Sequence, residues 1–291
     1  MAASDGARLP ILRLQPDDAE SVWPLSVEAG WNQIAADWRL MIASGSALGI
    51  RDAAGRWVAT ALALPLGPQT SWISMVLVTE PERGKGHGLR LLRRCIDIIE
   101  AAGRSMGLDA TEFGRPIYLP LGFRDVYPLS RWSAPAISAA CVAAPAGIAI
   151  RPIHPQDLAM IASYDLQRCG LERGAVLENL LIRAPSVAHV AERGDGSVAG
   201  YSLGRDGHHA THIGPIVAED QATGLALLSR ALAMVDGPAI VDAPDQHETI
   251  RQWLRSCGAS APRTFMRMLR GAAPAVEDGS RIMALAGPEL A

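Results

Sequence analysis

Residues 76–89 read Val76-Leu77-Val78-Thr79-Glu80-Pro81-Glu82-Arg83-Gly84-Lys85-Gly86-His87-Gly88-Leu89, an apolar strand that runs into a glycine-rich turn and then into an apolar-periodic helix. Three glycines at alternate positions let the backbone approach a ligand without Cβ clashes, and the N–H groups of the turn and first helical residues point at one spot. Such a spot suits an anion, a phosphate above all. Spacing separates the loops that work this way. A mononucleotide loop needs Gly-Lys followed by Ser or Thr, whose hydroxyl sits on magnesium; here Lys85 is followed by Gly86. A dinucleotide fingerprint needs G-x-G-x-x-G and an acidic residue about 20 positions on, at the end of a second strand. The glycines here are 84, 86 and 88, and Ile96-Asp97-Ile98 still reads as helix.

What remains is Arg-x-x-Gly-x-Gly, as Arg83, Gly86 and Gly88 behind a Val/Leu strand, and this resembles the pyrophosphate loop of the GNAT acetyltransferases. Downstream, Tyr118-Leu119-Pro120-Leu121-Gly122-Phe123 resembles the family's second signature, a tyrosine on a short helix followed by a Gly-Phe turn. Leu108-Asp109-Ala110-Thr111 fits the family's splayed strand, with Thr111 where Asn is common. Ala29-Gly30-Trp31-Asn32-Gln33 and Asp37-Trp38 resemble the opening of tandem-domain bacterial members. The resemblance implies acetyl-CoA as cosubstrate, no metal, and coenzyme contacts from Val76, Leu77, Val78, Arg83, Gly84, Lys85, Gly86, His87, Gly88, Leu89 and Thr111. Lys85 and His87 are expected to contribute backbone N–H groups and to turn their side chains outward.

At 291 residues the chain is long for one domain and comfortable for two, with 49% hydrophobic residues to build cores. Its longest apolar runs fall far short of a bilayer span, and Asp5 and Arg8 stand where a signal-peptide core would be. The expected compartment is the cytoplasm. Cys95, Cys141, Cys169 and Cys257 are scattered without C-x-x-C pairing, which fits reduced thiols rather than a disulfide framework or a zinc site. A net charge of −3 without a basic run disfavours nucleic acid and anionic membrane as partners. A homodimer is compatible with these features.

Residues 135–147 are rich in Ala and Pro and almost free of charge, and read as a linker between a domain at 1–134 and a second at 148–291. The second half repeats the first. Arg13-Leu14-Gln15-Pro16-Asp17-Asp18 returns as Arg151-Pro152-Ile153-His154-Pro155-Gln156-Asp157, and the 139-residue offset from Pro16 to Pro155 recurs from Val78 to Val217. In the first copy helices are expected near 17–44, 87–103 and 115–121, with Pro24 and Pro120 marking a first turn or a limit. Strands are expected near 9–14, 46–51, 57–64, 70–79, 108–112 and 124–132. The fold class is α/β, two tandem GNAT-like domains, each a mixed, mostly antiparallel sheet flanked by helices.

The copies differ in chemistry. Where the first has Arg83 to Gly88, the second reads Glu219-Asp220-Gln221-Ala222-Thr223-Gly224, which brings two carboxylates to a place where a pyrophosphate would be repelled. Four residues before the turn glycine stands Tyr118 in the first copy and Leu254 in the second. One coenzyme site per chain is expected, in the first copy.

Acyl transfer from a thioester to an amine needs a neutral amine at the carbonyl, donors for the developing oxyanion and a proton for the departing thiolate. The N–H of Leu77 or Val78 is the expected donor. Tyr118, whose ordinary pKa of about 10 lies above that of a thiol, is the expected general acid. No acidic side chain lies on residues 71–78, so a water chain is expected as the route to a base, with Asp37 and Glu112 as further candidates. Trp31 and Trp38, seven apart, read as one helical face. Trp31, Asn32, Asp37, Trp72 and Glu112 are the candidate acceptor residues, each with an ordinary alternative as core, cap or solvated group. His208, His209 and His212 read as solvated turn residues rather than a metal site, and Asp242, Asp245 and His247 as cleft, turn or helix-start residues. The expected activity is N-acetylation of a primary amine on a small molecule, with an aminosugar or aminoglycoside-type antibiotic as the class suggested by residues 31–38. A non-catalytic acetyl-CoA sensor and a protein or peptide N-acetyltransferase are the alternatives.

Overall fold

The structure, a computed structural model, describes residues 9–136, 141–271 and 279–291; Asp5, Arg8 and residues 137–140 of the expected linker lie outside them. The chain forms two compact units, Met1–Leu64 with Ile73–Ala102, and Pro65–Trp72 with Gly103–Ala291.

The first unit is built of β1 (Leu12–Arg13), α1 (Ala19–Glu28), α2 (Ala35–Ser44), β2 (Ser46–Arg51), β3 (Trp57–Pro65), β4 (Thr70–Val78) and α3 (His87–Ala101), except that Pro65 at the end of β3 and Thr70–Trp72 at the start of β4 belong to the second. β1 to β4 lie side by side in that order. α3 buries Leu91, Leu92, Cys95, Ile96 and Ile99, the stripe that its 3.6-residue period places on one face. The single helical region expected over 17–44 is two helices. Gly30 takes φ +66°, its N–H bonds Val27, and Trp31 N–H reaches back to Ser26, a glycine-terminated cap that stops α1. Trp31 therefore lies in the corner between helices, and Trp31 and Trp38 do not share a helical face. Pro24 neither starts nor ends α1, which continues to Glu28; Pro120 sits in the first turn of the short 3-10 helix Leu119–Leu121.

In the second unit, β5 (Ser105–Thr111), α4 (Arg115–Tyr118) and β6 (Arg124–Ala134) complete the first copy. Then follow β7 (Ile148–Pro152), α5 (Leu158–Cys169), α6 (Gly174–Arg183), β8 (His189–Arg193), β9 (Val198–Arg205), β10 (Thr211–Ala218), α7 (Gln221–Leu232), β11 (Ala239–Pro244), α8 (Glu248–Ser256), β12 (Ser260–Arg270) and β13 (Ile282–Ala284). From β7 to β12 the element order repeats that from β1 to β6. Thr70, Ser71 and Trp72 of β4 pair in parallel with Ser105, Met106 and Gly107 of β5, and from β5 the strands run β5, β12, β6, β11, β10, β9, β8, β7.

The two copies thus exchange their sixth strands, since β12 lies between β5 and β6, and β6 between β12 and β11. Two buried ion pairs fix the exchange, each between residues directly opposite in neighbouring strands. Arg267 of β12 faces Asp109 of β5, with Nε–Oδ1 and Nη2–Oδ2 both 2.8 Å. Arg131 of β6 faces Asp242 of β11 at 2.8 and 2.7 Å. In both, the Asp comes from a fifth strand and the Arg from the other copy's sixth. Burial works to raise the Asp242 carboxyl, but the Arg131 guanidinium and His212 outweigh it and hold the group below the usual carboxylate range. His212 is not a solvated turn residue: it is fully buried on β10, with Nε2 3.1 Å from Asp242 Oδ2 and Nδ1 3.4 Å from Arg205, because it belongs to the strand and not to the turn before it. No helix among the described residues is long and apolar enough to cross a membrane.

Candidate active site

In the first unit, β4 ends at Val78, one 3-10 turn covers Glu80–Glu82, and the chain enters α3 through Gly84 at φ +78° and Gly86 at φ +81°. A left-handed backbone at these two positions costs an L-residue about 1–2 kcal/mol, so glycine is dictated by conformation. Nothing lies within 4 Å of where a Cβ would stand on either. Gly88 has a different reason, since its Cβ would sit 3.3 Å from Val78 Cγ2 where α3 packs on β4. Gly86 is the N-cap of α3, and no side chain caps the helix. The positive end of a 15-residue helix is therefore left without a side-chain cap, behind a turn whose two left-handed glycines border open space.

Glu82 and Glu28 organise this loop. Glu82 receives Lys85 Nζ at 2.8 Å and stands 3.1 Å from His87 Nε2; the Lys85 bond, then His87, draws its carboxyl below the ordinary value. Lys85 is exposed, as expected, but His87 is buried, because its ring turns inward to Glu82. Arg83 donates through Nε to the Val78 carbonyl at 3.1 Å and lies 3.8 Å from Glu28, whose Oε1 accepts Glu80 N–H. The arginine is thus drawn back along the loop, with more than half of its side chain exposed. Val76 and Val78 are partly exposed, whereas Leu77 is buried on the other face of β4. Two residues earlier, Met75 takes φ +52°, unusual for a non-glycine residue, and Thr60 Oγ1 holds its carbonyl at 2.9 Å. Glu28, Glu82 and Met75 were not singled out from the sequence; an acid placed three before Lys85 and five before His87 was the available signal for Glu82.

The phenol lies in the second unit. Thr111 ends β5, its Oγ1 accepts Gly114 N–H at 3.1 Å, and the turn delivers α4. The Tyr118 ring packs against Gly114, where a Cβ would stand 2.9 Å from it, and edge-on against Phe123 with ring centres 5.9 Å apart. Gly122 at φ +86° makes the turn between them. Among the described residues no hydrogen bond engages the Tyr118 hydroxyl, and burial pushes its pKa up to about 12. Glu112 and the neighbouring Phe113 are exposed beside it.

The remaining candidates are mostly held inside the fold. Trp72 is fully buried, with its indole over Gly107 and Nε1 donating to the Pro288 carbonyl at 2.8 Å, so it is a core residue and does not face an acceptor. Asp37 is buried as well, and Oδ2 accepts Ile34 N–H at 2.8 Å to start α2, which makes it a capping group rather than an accessible base. Asn32 is buried in the helix corner, ahead of the N-cap of α2, which is Ile34. Trp31 is half-buried there. Beside Thr79, Pro81 and Glu82 a recess of about 630 Å³ opens against α1 and the β2–β3 turn, with Arg51 and Trp57 in its wall; the Trp57 indole N–H and Arg51 Nε are themselves buried, without a partner among the described residues.

Comparison with known proteins identifies the family. The family described as the acetyltransferase (GNAT) domain matches residues 161–284, within the second copy. The holothin acyltransferase of Pseudoalteromonas sp. (strain SANK 73390) is 30% identical over 228 residues, which is 76% of this chain and 73% of that one. The chain belongs to the GNAT acetyltransferases. Two solved structures share its fold: a putative acetyltransferase from Pyrococcus horikoshii, with 17% identity and a TM-score of 0.78 over 100% of this chain and 99% of that one, and a tandem GNAT protein from the clavulanic acid biosynthesis pathway, with 14% identity and a TM-score of 0.62 over 92% and 100%. GNAT enzymes use acetyl-CoA, and the uncapped helix and open glycine turn at residues 84–88 have the shape and polarity that its pyrophosphate requires.

Proposed function

We propose that the first copy is the catalytic one and moves an acetyl group from acetyl-CoA to a primary amine of a small molecule. The observation that carries this reading is the N-terminus of α3, where Gly86 leaves the helix uncapped and the backbone N–H groups free to face an anion. Residues 83–89 would hold the pyrophosphate and residues 76–78 the extended arm, while acetyl-CoA supplies the activated acyl group. Tyr118, protonated throughout the neutral range, would hold the proton that the departing sulfur takes.

The recess beside residues 79–82 is within the size range of small-ligand sites. This supports a small acceptor. An aminosugar remains the first class to test, now resting on Trp31 and the recess, since Asn32, Asp37 and Trp72 are held in the fold. The name of the holothin acyltransferase adds holothin to the candidate acceptors.

The test is release of coenzyme thiol from acetyl-CoA across aminosugars, polyamines, holothin, amino acids and peptide N-termini. Release with one small-amine class, reduced at least tenfold in Arg83→Glu, is the expected result; binding without release from any amine would replace the enzyme by a sensor, and release with peptides alone would overturn the small acceptor. Gly86→Ala should let the free loop relax away from φ +81°, so that coenzyme A must restore that backbone at a cost of about 1–2 kcal/mol and binds about 5- to 30-fold more weakly. Calorimetric titration measures it, and an unchanged affinity would place the pyrophosphate elsewhere.

A further inference from the structure

The second copy keeps the geometry of the first but fills it from its own chain. At the 139-residue offset, Met75, Leu77 and Val78 correspond to Gly214, Ile216 and Val217. Gly214, like Met75, has positive φ, though at +149° against +52°, and the pairing of β10 with β9 shifts register between Ile213 and Ile216. In the second copy the parallel ladder between β10 and β11 covers Thr211, His212 and Ile213 against Ala239, Ile240 and Val241. Beyond it β13 takes the edge of β10, with Ala284 opposite Ile216 and Ile282 opposite Val217. Ala218 N–H donates to the Arg281 carbonyl at 3.0 Å, and Leu285 N–H donates to the Asp242 carbonyl of β11 at 2.8 Å, so the segment bonds both walls of the groove. Residues 282–286 are at most 3% exposed.

Two glycines are explained by this segment and not by a phosphate. A Cβ on Gly214 would stand 1.8 Å from the Leu285 carbonyl oxygen, and one on Gly224, in the first turn of α7, would stand 2.4 Å from Met283 Cγ. The helix end is closed as well. Asp220 is the N-cap of α7, and its carboxylate accepts Thr223 N–H at 2.7 Å. Glu219 is taken up in ion pairs with Arg168, at 3.0 Å, and Arg193.

We infer that the second copy is self-liganded: residues 281–285 lie along β10 where, on the proposed reading of the first copy, the arm of acetyl-CoA lies along β4, and the Asp220 carboxylate caps α7 where α3 is left open for a pyrophosphate. The inference rests on that reading for its comparison but on the second unit alone for its contacts. It makes the second groove a permanently filled site, which takes no coenzyme and depends on residues 281–285 for its core.

Hydrogen exchange on the full chain, with and without coenzyme A, tests it. Peptides spanning 282–285 should exchange at least 100-fold more slowly than an unstructured peptide, and saturating coenzyme A should leave them within twofold while slowing residues 83–89. Gly224→Ala, which presses on Met283, should speed exchange at 282–285 at least tenfold, and adding Met283→Ala should bring it back to within threefold. Free-peptide rates at 282–285 in the unaltered protein, or two equivalents of coenzyme A bound per chain, would overturn the inference; the first is read without any variant, so a variant that fails to fold does not block the test. Slow exchange at 282–285 with no effect of coenzyme A at 83–89 would instead sink the reading of the first copy and uphold the filled groove of the second.

Discussion

Tyr118→Phe is expected to lower kcat at least a hundredfold while leaving the affinity for acetyl-CoA within twofold. A positioned general acid contributes about 10²–10⁴ to a rate, and the substitution removes the hydroxyl but keeps the ring that packs on Gly114 and Phe123. Because among the described residues the hydroxyl bonds no neighbour, its loss breaks nothing in the fold. The pH profile gives a second readout. A phenol raised to about 12 by burial keeps its proton as pH rises through 8, 9 and 10 and loses it only beyond. The unaltered enzyme should therefore show no alkaline fall in kcat below about pH 11 that the Phe variant abolishes. A variant with unchanged kcat would remove Tyr118 from the chemistry.

Arg267→Ala should be the most damaging single change to stability, at about 3–5 kcal/mol. Arg267 and Asp109 are both fully buried, and the guanidinium also lies 4.5 Å from the centre of the Trp72 ring and 5.5 Å from that of Tyr127. Burial already works to raise the Asp109 carboxyl, and Arg267 is the charge that opposes this. Truncation leaves a buried carboxylate without its partner, which costs far more than the pair contributes as a pair. Arg267→Met with Asp109→Leu should recover most of the loss, because apolar groups of similar volume need no partner there. Denaturant midpoints of the three proteins decide it: a single variant within about 1 kcal/mol of the double would mean that water reaches the pair.

The loop was legible from sequence because conformation, not packing, selects its residues: φ +78° and +81° admit glycine almost alone, and that demand is written in the spacing of Gly84 and Gly86. Strands 57–64 and 124–132 were legible from their β-branched and aromatic residues, and 46–51 from Leu48 and Ile50 between breaks; they closely match β3, β6 and β2. The 17–44 region was not, since an apolar period continues through the corner while Gly30 turns the backbone away. Candidate roles for Asp37 and Trp72 failed because a residue type says what a side chain can do and not which way it faces. The strand exchange is a long-range pairing, and no local pattern encodes it. A trace was present all the same: Asp109, Asp242 and Arg267 each stand alone between apolar neighbours in a strand, a placement that requires a buried partner of opposite charge.

The reciprocal ion pairs have a meaning for how such a chain arises. Asp109 with Arg267 and Asp242 with Arg131 are the same contact made twice, related by a twofold exchange of sixth strands. In a symmetric homodimer one Asp and one Arg per protomer would supply both contacts, and each protomer would lend its last strand to its neighbour. Joining two such genes end to end gives this topology without a new interface. The fused protein inherits an obligation with it: neither half alone can close the gap between its fifth and sixth strands, so the halves, expressed as separate polypeptides, would be stable only in each other's company. That coupling ties each half to the other whatever chemistry either performs.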